Sequence, residues 1–268
     1  MKDNVKNFLC LILVVSLLTL PISAQTNSFS WYCKRNLDHK QPTVDSEMRF
    51  VEDFDGYYVD RRYENSDEKV IYLTFDAGYE NGNVAKILDI LKEEKAVGSF
   101  FILETLLIKN LELVRRMADE GNLVCNHTST HKDVSKLSFD DLKNELEGLE
   151  KLYKEKTGRE LTKYFRPPEG RFSKESMENL QKLGYTTVFW SFAYADWDNN
   201  NQMPPDKALE KVMSNIHNGG IMLLHPTSST NVQILPEIIK QLKAQGYQFK
   251  TLDNLKKPPN FGGFFYSS

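Results

Sequence analysis

An α/β fold is predicted for this 268-residue chain, with seven parallel strands in a (β/α)7 barrel behind an N-terminal extension. Three observations point there. Short apolar runs rich in β-branched and aromatic residues alternate with stretches whose apolar residues recur at helical spacing, the pattern of a parallel sheet. Seven such runs occur, which suits an open doubly wound sheet as well as a barrel. The third observation separates the two. Asp76, His127, Arg166, Asp196 and His225 each fall just beyond the carboxyl end of a different predicted strand. Strand ends fan apart in an open sheet but meet at one mouth in a closed barrel, the usual place for chemistry there.

The elements follow in order. Residues 25–69 are polar and irregular, with aromatic pairs at Trp31-Tyr32 and Tyr57-Tyr58, and read as an extension packed on the main domain. Residues 70–75 form the first strand. Val84, Ile87, Leu88 and Leu91 then mark one face of a helix. Residues 98–103 are the second strand, and 111–120 a helix stopped by Gly121. The third strand, 123–126, precedes a long helix that starts near Ser138, with Asp140 and Asp141 in its first turn, and closes at Gly158. Strands at 163–166, 186–191, 221–224 and 248–252 alternate with helices at 173–183, 205–218 and 234–244. The main domain is thus 70–255, followed by a tail, 256–268. No repeat or low-complexity segment interrupts it.

With 40% apolar and 26% charged residues, the chain is long enough for one large domain with a substantial core. A formal charge of −3 gives no basic surface for nucleic acid. The first 24 residues read as an export signal: Lys2 and Lys6, an apolar run over 8–20, then Pro21 to Ala24 ahead of a cleavage point. The apolar run is short against the roughly 20 residues of a membrane span, so membrane attachment is expected only if the signal stays uncleaved. Its removal takes the formal charge from −3 to −4. Cys33 and Cys125 then remain. Export permits a disulfide, but two cysteines in a sequence do not show that they meet, and Cys125 reads as a buried thiol beside His127.

His127 and His131 are spaced to hold a divalent metal, since imidazole nitrogen suits zinc, cobalt or nickel. The pair follows a strand, so a tight turn must aim both rings inward. Taken alone, HxxxH arises by chance on polar loops, but only five histidines exist and three fall at strand ends. Asp76 reads either as a turn aspartate or as a general base on a metal-activated water. His225 reads either as a core histidine or as the acid that protonates a leaving amine. Arg166, followed by two prolines that force an extended chain, reads as a surface ion pair or as the partner that keeps Asp76 charged. Asp196 could orient Arg166 or His225. Trp197 could be a sugar-stacking wall or packed core.

The motifs TFDAGYENG, HTSTH, RPPEGRFS, WSFAYADWD and LLHP, in that order over residues 70–255, resemble the polysaccharide deacetylases, the nodulation-type deacetylase homology domain of carbohydrate esterase family four. FDAGYENGN and the preceding WYCKRNLDHKQP are similar to the delta-lactam-biosynthetic de-N-acetylases of spore-formers. The resemblance implies a distorted barrel of fewer than eight strands. It implies Asp76 as base, His225 as acid, Arg166 and Asp196 as their supports, and His127 and His131 as metal ligands. It further implies an oxyanion-holding backbone near Glu169 and Gly170; Tyr79 and Trp197 are candidate glycan contacts beside these. The implied reaction is removal of acetyl from muramic acid in peptidoglycan strands lacking stem peptides. The freed amine then closes to muramic delta-lactam in the spore cortex. The protein is expected as a monomer, secreted or in the cell envelope.

Two departures stand out. Most family members carry a second aspartate after the base, as a third metal ligand, where this chain has Ala77; the spore branch resembles it in this. A divalent ion, zinc by the usual preference, is therefore expected to be weakly held. Glu169 places negative charge in the RPPxG motif. Other readings are a deacetylase of another N- or O-acetylated polysaccharide, a glycan-binding barrel with impaired catalysis, or a glycosidase using Asp76 and Asp196.

Overall fold

A computed structural model of the chain describes residues 27–32, 34 and 38–256. The export segment 1–24, Cys33 and nearly all of the tail 256–268 lie outside the described residues. Cys125 is a free, buried thiol. No helix among the described residues is long and apolar enough to cross a membrane.

Strands β1 (Ser28–Ser30) and β2 (Gly56–Tyr57) precede the central strand β3 (Lys69–Ala77). Then come α1 (Val84–Glu93), β4 (Gly98–Ile102), α2 (Glu104–Lys109), α3 (Leu111–Asp119), β5 (Leu123–Asn126) and α4 (Phe139–Thr157). The second half contains β6 (Tyr164–Phe165), β7 (Arg171–Ser173), α5 (Lys174–Lys182), β8 (Thr186–Val188) and α6 (Pro205–Met213). β9 (Gly220–Leu224), α7 (Ser229–Ala244) and β10 (Tyr247–Phe249) complete it.

The main sheet is parallel throughout, in the order β10-β3-β4-β5-β6-β8-β2, with β9 also on β3. It curls until the chain just after β8 meets β9. There Phe192 bridges Met222, the Ser191 N–H donates to the Ile221 carbonyl at 2.9 Å, and the Leu223 N–H donates to the Phe192 carbonyl at 2.9 Å. Below this seam β2 lies along β8, and Val59 bridges Gly220 in antiparallel sense. The result is a distorted barrel with one thinly joined seam.

Alternation along β3 sorts its side chains. Ile71, Leu73, Phe75 and Ala77 belong to the large apolar cluster under the helices. Val70 and Tyr72 fill the barrel interior with Phe101, Cys125 and Val188. Thr74 and Asp76 continue that interior face upward, which is how the strand delivers a carboxylate to the mouth.

The helices end where local chemistry says they should. The Ser138 hydroxyl accepts the Asp141 N–H at the start of α4, and Gly158 closes that helix at φ 75°. Some boundaries differ from the sequence reading. The helix expected over 205–218 stops at Met213, because Asn215 to Gly219 make a turn into β9. The helix expected from residue 234 starts at Ser229, capped by the Ser228 hydroxyl and running through Pro236. The last strand is Tyr247–Phe249, followed by a 3₁₀ turn over Leu252–Lys256. The pairing of β1 with β7 has no counterpart in the sequence reading.

Candidate active site

A cavity of about 940 Å³ opens at the carboxyl ends of the barrel strands. Asp76, His127, His131 and His225 all line it, together with Tyr79, Gly170 and Trp197. Arg166 and Asp196 are not in its wall. They lie behind it, 0% and 1% exposed, where each holds one of the lining groups.

Arg166 is the hub beneath Asp76. Its Nη1 donates to Asp76 Oδ1 at 2.8 Å, Nη2 to Thr74 Oγ1 at 2.8 Å, and Nε to the Val188 carbonyl at 3.0 Å. The guanidinium also lies 4.3 Å from the Phe101 ring centroid. Pro167 and Pro168 end β6 after two residues and fix this geometry. Burial alone would raise the Asp76 pKa. The opposing charge of Arg166, and the hydrogen bond it donates, outweigh burial and hold the carboxyl below its ordinary range. Asp76 is therefore ionised at neutral pH.

The His127 Nδ1–H donates to the Arg166 carbonyl at 2.8 Å, which leaves Nε2 with its lone pair facing the cavity, 3.6 Å from Asp76 Oδ2. Burial pushes the His127 pKa down to about 4, so the ring is neutral and free to act as a ligand. His131 stands beside it with ring centroids 5.1 Å apart and planes at 71°. The turn between them puts Thr128 and His131 at φ 70° and 62°. Three anchors hold that left-handed backbone. Asn126 Oδ1 accepts the Thr128 N–H at 2.8 Å, Thr128 Oγ1 accepts the His131 N–H at 2.8 Å, and the buried Glu145 carboxylate on α4 accepts the Thr130 N–H at 2.9 Å.

Among the described residues no group of three or more His, Cys, Asp and Glu side chains converges to hold a metal. Ala77 has no exposed surface and packs in the helix-facing cluster, so position 77 gives the cavity nothing. The donor set is two neutral-capable imidazoles beside a carboxylate. This fits a divalent cation whose other positions are left to water or substrate.

His225 sits on Asp196. Its Nδ1–H donates to Asp196 Oδ1 at 2.7 Å, and its backbone N–H donates to Oδ2 at 2.8 Å. Asn231 Nδ2 donates to the same Oδ2 at 2.6 Å. A carboxylate engaged this fully and removed from the cavity wall cannot serve as one of two glycosidase carboxylates. Burial would lower the His225 pKa, but the hydrogen bond and charge of Asp196 outweigh it and raise the value above its ordinary 6.5. The sign follows. His225 contributes stability below pH 6.5, and that contribution is lost as pH rises through the raised folded pKa. If His225 serves as an acid it must be protonated, and activity would then fall over the same rise. Asp196→Asn removes the raising charge and is expected to move the basic limb of kcat/KM to lower pH. A pH–rate profile that keeps its basic limb in place would detach that limb from His225.

Gly170 sits at φ 65°, and a Cβ there would come within 2.7 Å of Trp190 Cη2. Its N–H donates to the Pro167 carbonyl and its carbonyl accepts the Trp31 N–H. Gly170 therefore offers surface rather than hydrogen bonds, and any oxyanion donor in this turn falls to the Glu169 amide. Glu169 itself pairs with Arg171 at 2.9 Å. Sequence reasoning gave no role to Thr74, Asn126, Glu145 or Asn231, which hold the candidate groups. It also missed Trp31, Tyr32, Leu103, Trp190 and Leu223 in the cavity wall.

Comparison with known proteins bears on the family and the fold. Residues 63–188 match the polysaccharide deacetylase family. The chain is 39% identical over 228 residues to the peptidoglycan-N-acetylmuramic acid deacetylase PdaA of Bacillus subtilis (strain 168), covering 84% of this chain and 85% of that protein. It is 32% identical over 195 residues to a peptidoglycan-N-acetylglucosamine deacetylase of Bacillus cereus, covering 71% and 89%. The solved structure of B. subtilis PdaA, a family 4 carbohydrate esterase, superposes with a TM-score of 0.80 at 37% identity, covering 85% of this chain and 96% of that one.

Proposed function

We propose that this chain, which belongs to the polysaccharide deacetylase family, removes acetyl from N-acetylmuramic acid in peptidoglycan strands lacking stem peptides. It is a peptidoglycan deacetylase, a hydrolase of N-acetyl amide bonds. The choice of muramic acid is carried by the likeness to the N-acetylmuramic acid deacetylase of B. subtilis, which extends over most of both chains.

His127 and His131 would hold a divalent cation, zinc by preference; when bound, such an ion polarises an acyl oxygen and acidifies water. The rest falls to the chain. Asp76 Oδ2, with Oδ1 fixed by Arg166, takes the proton of the attacking water. His225, with Nδ1 committed to Asp196, presents Nε2 and gives its proton to the departing amine. The C–N bond breaks, leaving acetate and a free amino sugar. Tyr79 and Trp197, 47% and 63% exposed at the cavity, offer faces for the glycan. In muramic acid the freed amine lies beside the lactyl carboxyl, and its closure gives the delta-lactam of spore cortex. Export by the N-terminal segment would deliver the enzyme, as a monomer, to that envelope substrate.

Mass spectrometry of stem-peptide-free glycan fragments after digestion tests the substrate. Acetyl is expected to be lost from muramic acid and kept on glucosamine; loss from glucosamine alone would reverse the assignment. His127→Ala is expected to bring bound divalent metal in elemental analysis down to background, whereas His39→Ala, outside the cavity, should leave it unchanged. Undiminished metal in His127→Ala would place the cation elsewhere.

A further inference from the structure

We propose that Tyr32 is a glycan-contact residue that sets the preference for polymeric over small substrates. This rests on the peptidoglycan deacetylase reading. The family match begins at residue 63, yet Trp31 and Tyr32 line the cavity from far upstream. They are built into its wall. β1 pairs with β7 from Ser28↔Ser173 to Ser30↔Arg171. The Trp31 N–H donates to the Gly170 carbonyl at 2.8 Å, and its indole N–H to the Trp190 carbonyl at 2.9 Å. The Trp31 ring stacks on Phe189 at 4.4 Å between centroids.

With Trp31 fixed, the next residue projects at the rim. Tyr32 is 48% exposed. Its hydroxyl donates to the Asp45 carboxylate, which also pairs with Lys34, so the ring is tethered at its far end. Five large hydrophobic side chains are exposed among the described residues, and three of them, Tyr32, Tyr79 and Trp197, are aromatic rings on this one cavity. Tyr79 and Trp197 share a wall, since Asn199 Nδ2 donates to the Tyr79 hydroxyl at 2.6 Å. Tyr32 instead follows Trp31, whose backbone and indole N–H groups are held by Gly170 and Trp190. Rigid, amphipathic aromatic faces suit the C–H faces of pyranose rings. A glycan strand lying across these rings of the cavity would touch Tyr32, whereas a small acetylated molecule at Asp76 would not need to.

The test compares Tyr32→Ala and Tyr32→Phe on two substrates, stem-peptide-free glycan strands and 4-nitrophenyl acetate. For Tyr32→Ala, KM on strands is expected to rise roughly threefold to tenfold, the scale of one aromatic contact. Its kcat and its hydrolysis of the small ester should stay at wild-type level, and Tyr32→Phe should keep most of the strand affinity. An unchanged KM, or an equal loss on both substrates, would overturn the proposal. Calorimetric binding of strands in an Asp76→Asn background reads the same contact without turnover. If the wild type releases no acetate from any glycan, the function falls, while weakened binding by Tyr32→Ala would still uphold the contact and unweakened binding would still refute it.

Discussion

Asp76→Asn is expected to lower turnover about 10²–10⁴-fold, the range that a positioned general base supplies, with the fold retained. The amide keeps an oxygen where Oδ1 accepts from Arg166 at 2.8 Å, so the hub geometry survives. It loses the negative charge that the proposed base would use to take a proton from water. The guanidinium keeps its bonds to Thr74, Val188 and Phe189 and its place on the Phe101 ring, which limits the damage from a buried cation without its counter-ion. Steady-state acetate release with circular dichroism as a fold control measures it. A variant that keeps most of its activity would remove Asp76 from the chemistry.

The second large effect is expected at Arg166. Its side chain is 0% exposed and that of Asp76 only 11%, so Arg166→Met leaves a carboxylate in a poorly solvated site without its partner. Breaking a buried ion pair from one side costs about 3–5 kcal/mol. Denaturant unfolding should show a loss of that order, together with a collapse in activity. The double variant Asp76→Asn with Arg166→Met should recover part of the stability, because neither charge is then left alone. If Arg166→Met costs under about 1 kcal/mol, the value of an exposed pair, this carboxylate does not depend on the guanidinium.

Much of the architecture was readable because it is periodic. The apolar β3, β4, β5 and β9 repeat no helical spacing, and the amphipathic α1 and α3 do, so the parallel order emerged from pattern alone. The strand-end positions of Asp76, His127 and His225 were readable for the same reason. What stayed hidden depends on contacts distant in sequence. Trp31 meets Trp190 across 159 positions, and no local pattern announces that a polar extension supplies a cavity wall. Glu145 looks like any surface glutamate on α4, yet it is buried and holds the turn that carries both histidines. The first turn of α7 was concealed by its polar run, Ser229-Thr230-Asn231. Its Thr230 and Asn231 are buried rather than looped, with Asn231 turned inward to hold Asp196.

Acetate release from stem-peptide-free glycan strands, by the metal-stripped protein and again after a divalent cation is restored, tests the central claim most directly. The gathering of Asp76, His127, His131 and His225 on one cavity predicts acetate only after restoration, with zinc sufficing. No acetate under any divalent metal, or the same yield from the stripped protein, would contradict it.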